Sequence, residues 1–229
     1  MKVIRPNCRE HLTGKDVDFI VSVLAASAKE AGFLTQLLTD DESRDRVLDN
    51  NRLIDAIQDR AEHLSISGQL YFYLLVRHAF QHLGLDDRAV ADYVAELLAE
   101  FSEAPHLACP VSLPNASPEC VVDMLLAMQD RNAEERFAVS AHIGNYTLFM
   151  TGLYPERIAA RRQHHGAPGL NYYETMGCRN YDLASRSPMA EKYGVSAVFQ
   201  DLASAFHEVR IALNRMHEQF LFHSCPVPG

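Results

Sequence analysis

From Val195 to Phe220 the large apolar residues fall at alternating steps of four and three: Val195, Phe199, Leu202, Phe206, Val209, Leu213, Met216 and Phe220. A mean spacing of 3.5 residues gathers all eight on one face of a helix, which a strand with its two-residue alternation cannot do. Gly194 stands before this seam and Cys-Pro-Val-Pro-Gly follows it. The spacing therefore predicts one long helix over about 195–223, packed along its length against the rest of the chain or against a second copy.

The same period runs through most of the remaining sequence. Val17, Ile20, Val21 and Leu24 predict a helix from Asp16 to about Gly32, with a short piece through Leu37 and Leu38. Val47, Leu48, Leu53, Ile54 and Ile57 predict another from Asp41 to about Arg60, its acidic first turn suited to the helix dipole. Ser67 can cap a helix that runs to Leu83 and stops at Gly84, and Asp86 or Asp87 can cap "RAVADYVAELLAEF". Ser117 with Pro118 behind it starts "PECVVDMLLAMQD". No segment alternates every second residue between turn signals, so the expected fold is all-α: a multi-helix bundle of eight or more helices. Connections are short, which favours one all-helical domain over residues 1–229. The Pro-rich loop at about 104–118 is the only candidate hinge.

Composition narrows the partners. A chain of 229 residues with 48% hydrophobic content can bury a core without disulfides or a structural metal. Its formal charge of -9 repels polyanions and anionic membranes. The one basic patch, "RIAARRQHH" with Arg157, Arg161, Arg162, His164 and His165, lacks interleaved aromatic residues and reads as a solvated helix end. No nucleic-acid or membrane partner is expected. The five cysteines, Cys8, Cys109, Cys120, Cys178 and Cys225, form no CxxC pair and fit no zinc spacing, as expected of reduced core thiols. With no signal-peptide pattern at the start, and "LYFYLLV" too short to span a bilayer, the expected location is cytoplasmic.

Several catalytic signatures are absent from the sequence: the Walker pattern, GxGxxG, HExxH, GxSxG and the paired ExxH of di-iron bundles. What remains are polar groups on apolar helices. In "RFAVSAHIGNYTLFMTGLYP", residues 136–155, His142 and Asn145 share a stripe with Tyr146 beside it. Ser140, Gly144, Thr147 and Thr151 make a neighbouring stripe of small residues over which another helix can approach. Such groups either bridge to neighbouring helices or face a ligand. "LYFYLLVRHAFQH" is apolar all round at its start and ends in Arg77, His78, Gln81 and His82, with two imidazoles four residues apart. In "NYYETMGCRNYD", Glu174 lies among Tyr172, Tyr173 and Tyr181, either as a carboxyl with raised pKa or as an ion-pair partner of Arg179 or Arg210. A polar stripe of His207, Arg210, Asn214 and His217 flanks the last seam.

Convergence of these groups would make a polar centre in an apolar helical cavity. The expected function is therefore binding of, or action on, a small and partly apolar molecule. His142 and Glu174 are the candidate acid and base. Arg77, His78, Asn145, Tyr146, Tyr173, Arg210 and Asn214 are the candidate ligand-binding residues. A metal-dependent oxidoreductase, haem or non-haem, is the alternative, with His78, His82, His142 and Glu174 as ligands. The third reading is a non-catalytic homodimer joined through helix faces. Nothing in the sequence specifies a cofactor.

Overall fold

A computed structural model describes residues 4–59, 65–102, 121–128 and 131–221. Among them are thirteen α-helices and no strand, which makes the protein an all-α multi-helix bundle. In chain order these are α1 (Gly14–Leu24), α2 (Ala28–Leu37), α3 (Asp41–Leu48), α4 (Asn51–Asp59), α5 (Gly68–His82), α6 (Arg88–Phe101), α7 (Val121–Ala127) and α8 (Ala133–Leu153). They continue with α9 (Pro155–His165), α10 (Leu170–Ser185), α11 (Pro188–Tyr193), α12 (Ser196–Ser204) and α13 (Phe206–Met216). The candidate hinge at 104–118 lies outside the described residues.

The bundle is built around α8. Asn132 accepts from the Glu135 amide while the Glu135 carboxylate accepts from the Asn132 amide, closing a capping box at its start. From Phe137 to Leu153 every residue is buried, the pattern of a helix surrounded on all sides. α10 and α13 pack along it, with α6, α7 and α9 also against it, while α5 packs on α6 and α13. The small stripe lets α10 come close. A Cβ on Gly144 would sit 2.8 Å from the Tyr181 ring, and one on Gly177 would sit 2.2 Å from that of Phe206.

Three expected helices are shorter than their spacing suggested. The piece expected from Asp16 breaks after Leu24, because Ser27 accepts from the Glu30 amide and starts α2 afresh. The Asp41–Arg60 piece divides at Asp49 and Asn50, where the Asp49 carboxylate is taken by Arg77 and Arg88. The long helix over 195–223 is corrected most. It divides at Ala205, whose φ of -107° and ψ of 21° leave the helical region, and α13 ends in a π turn over His217–Leu221. The seam nonetheless stays buried from Val195 to Phe220. The break lets it change partners: α12 lies on α10 and α6, whereas α13 lies on α8 and α5. Its contacts are thus to its own chain. No helix among the described residues is long and apolar enough to cross a membrane.

Candidate functional site

The polar groups on α8 divide into separate environments. Asn145 is buried, and its Oδ1 accepts from Tyr93 Oη of α6 and Tyr181 Oη of α10, each at 2.8 Å. Both tyrosines are fully buried, and burial pushes their hydroxyl pKa values well up, so they remain donors. One carboxamide oxygen therefore ties three helices together. His142 stacks on Tyr146, with ring centroids 6.3 Å apart, and faces Phe101 at 5.8 Å. Thr147 and Thr151 turn their hydroxyls back to the carbonyls of Ile143 and Thr147, each at 2.7 Å.

A second group joins α10, α13 and the end of α8. Glu174 forms an ion pair with Arg210, and His207 Nδ1 lies 3.3 Å from Glu174 Oε1. Arg210 Nη1 donates to Asn214 Oδ1 at 2.7 Å. Asn214 Nδ2 in turn donates to the carbonyls of Thr151 and Gly152 at 2.9 and 2.7 Å. These carbonyls belong to the last turn of α8, which has no intrahelical donors left for them. Tyr173 is buried on α10 one residue before Glu174.

The candidates on α5 lie elsewhere. Arg77 is buried, with Nε and Nη2 donating to Asp49 at 2.8 and 3.2 Å and Nη2 to Asp86 at 2.5 Å. Burial disfavours charge on Asp49, but hydrogen bonds from Arg77 and Arg88 outweigh it and hold the carboxyl below its ordinary range. His78 and His82 meet each other, Nε2 to Nε2 at 3.1 Å, on the outside of the helix end. The four residues of the metal alternative are therefore not brought together. Glu174 is engaged by Arg210, and among the described residues no group of three or more His, Cys, Asp or Glu is placed to hold a metal ion.

One polar cluster escaped the helical spacing. Asp92 of α6 is buried and bonded to the backbone amide and Nε of Arg9, both at 3.3 Å, while Arg9 Nη1 reaches Asp45 at 2.7 Å. Cys8 Sγ donates to Glu96 Oε2 at 3.2 Å, and Arg88 carries the network on to Asp49 at 2.6 Å. The one-letter pattern could have shown Asp92, because it lies inside the apolar run "AVADYVAELL", next to Tyr93. Its partners come from residues 8–9 and 45, which a single helix face does not reveal.

Among the described residues, two clefts flank α9 and the start of α10. One of about 520 Å³ has Pro155, Ile158, Ala159 and Leu170 as apolar walls and Arg162 and Gln163 at its edge. A second, of about 440 Å³, shares Arg162 and Leu170 and adds Asn171 and Tyr172. Among the described side chains of α9 only Ile158 is buried, so the helix touches the body along a narrow line and leaves room beside it. Gly169 admits the Arg162 side chain: a Cβ there would lie 2.8 Å from its Nη1. Comparison with protein-family models, curated proteins and solved structures returned no match.

Proposed function

We propose that the chain binds a small, partly apolar anion in the cleft between α9 and α10. The observation that carries this reading is the cleft itself. It is an apolar trough of about 520 Å³ with an arginine at its rim, within the roughly 300–1,000 Å³ usual for small-molecule sites. Arg162 offers a planar cation suited to a carboxylate or phosphate, while Ile158, Ala159 and Leu170 would cover the apolar part. The buried centres then serve as scaffold. Asn145, Tyr181 and the Glu174–Arg210–Asn214 chain hold α10 against α8, and so set the floor beside which Leu170 and Tyr172 stand.

The sequence contains no tryptophan, which makes a direct test simple. Leu170→Trp puts a single indole at the cleft. Titration with octanoate should shift its emission, octanol should bind more weakly, and Arg162→Ala in the same background should remove the preference for the acid. An emission unchanged by either probe, or a preference that survives Arg162→Ala, would refute the proposal.

A further inference from the structure

We propose a second site, independent of the cleft: His78 and His82 form a two-imidazole chelate on the last turn of α5 for a borderline divalent cation of the nickel, copper and zinc class. Two ligands i and i+4 on a helix stand one above the other, and here they already meet, Nε2 to Nε2 at 3.1 Å. Two nitrogens bound at about 2.0–2.1 Å and at an angle of roughly 90–110° are about 2.9–3.4 Å apart, so this separation matches the bite of adjacent positions on one ion.

The surroundings suit such an ion. The His78 ring sits edge-on to Phe220 at 5.9 Å, which limits its rotation, while His82 is exposed and leaves the remaining coordination positions to water. Asp55 of α4 adds a negative charge that acts on His78. Imidazole donors favour nickel, copper and zinc, and an all-oxygen cation such as magnesium gains nothing from them. The ion would staple the end of α5, where Leu83 and Gly84 close the helix.

The test is calorimetric titration of the full chain with Ni²⁺ in a non-coordinating buffer, after chelator treatment and dialysis. Nickel is chosen because the cysteine thiols compete for it less than for zinc. One equivalent should bind. His82→Ala and His78→Gln should each weaken it by at least the roughly 10- to 100-fold that loss of an outer partner costs other metal sites. His164→Ala should leave binding unchanged, and Mg²⁺ should give no binding heat. His82 is exposed, so its variant tests the chelate without disturbing the core, and matching melting curves without metal will verify this. Nickel bound equally well by His82→Ala, or no stoichiometric binding by the wild-type chain, would overturn the proposal.

Discussion

Asn145→Ala is the sharpest test of what the buried polar centre does. The substitution removes the single oxygen that accepts from Tyr93 and Tyr181, and both hydroxyls are fully buried. A buried donor left without an acceptor costs about 1–3 kcal/mol, so two such donors cost about 2–6 kcal/mol before any loss of packing is added. For a chain of this size each kcal/mol lowers the melting temperature by roughly 2–4 °C, so the expected fall is roughly 4–24 °C. The single changes Tyr93→Phe and Tyr181→Phe should cost only about 0.5–1.5 kcal/mol each. They delete a donor and leave Asn145 its other partner.

The assay is thermal and urea melting monitored by circular dichroism, run as a cycle. In the Tyr93→Phe/Tyr181→Phe background no hydroxyl remains to be orphaned, so Asn145→Ala should cost less there than in the wild-type chain by at least about 1 kcal/mol. A ligand-facing asparagine predicts the opposite: little loss of stability in either background, because binding groups are seldom optimised for the fold. A cost under about 1 kcal/mol in the wild-type chain, or equal costs in both backgrounds, would refute the three-helix tie.

Gly177→Ala should destabilise by about 1–3 kcal/mol or more, since the new Cβ would collide with the buried Phe206 ring and Thr147 Oγ1, and this outweighs a helix-propensity gain of about 1 kcal/mol. Gly32→Ala on the exposed face of α2 meets nothing within 4 Å and should show that gain alone, so chemical denaturation of the two variants should give opposite signs. Tyr73, Tyr93 and Tyr181 have folded pKa values raised by burial above the ordinary 10.0. The stability they contribute is therefore intact below about pH 10 and lost above it, as the unfolded chain ionises, and absorbance at 295 nm should show these rings titrating only with unfolding. Burial, then the charges of Asp92 and Glu96, push the Cys8 thiol pKa up. A disulfide reagent at pH 8 should thus count the same number of reactive thiols in native wild type and Cys8→Ser, and one fewer in the variant only after denaturation.

What could be read in advance follows from what one helix can show about itself. The seam from Val195 to Phe220 was legible because all eight residues bury the same face, and that face stays buried although the helix breaks. The break was not legible. Ala205 is an ordinary helix former, and its departure reflects the change from α10 and α6 to α8 and α5 as packing partners. Likewise the small residues of α8 announced a close neighbour, and Gly144 with Gly177 shows how close, but nothing local identified that neighbour as α10. The pairing of Glu174 with Arg210 was among the stated alternatives, because a carboxylate and a guanidinium beside apolar stripes need partners. The partners of Arg77 were not legible, since Asp49 and Asp86 lie on other elements.

These differences share a cause that also bears on the proposed binding surface. A polar residue on an apolar helix looks functional when only its own helix is visible, yet four such groups here are met by another element: Asn145 by two tyrosines, Arg210 by Glu174, Asn214 by open carbonyls, Asp92 by Arg9. Groups whose hydrogen bonds are already made have little left to offer a ligand without breaking the fold. The proposal therefore turns to a helix that the interior uses little. α9 fits that description, with Ile158 as its one buried described side chain and Arg162 at the rim of the space beside it. The charged tract that reads as a solvated helix end is thus where the proposed anion is to be sought first.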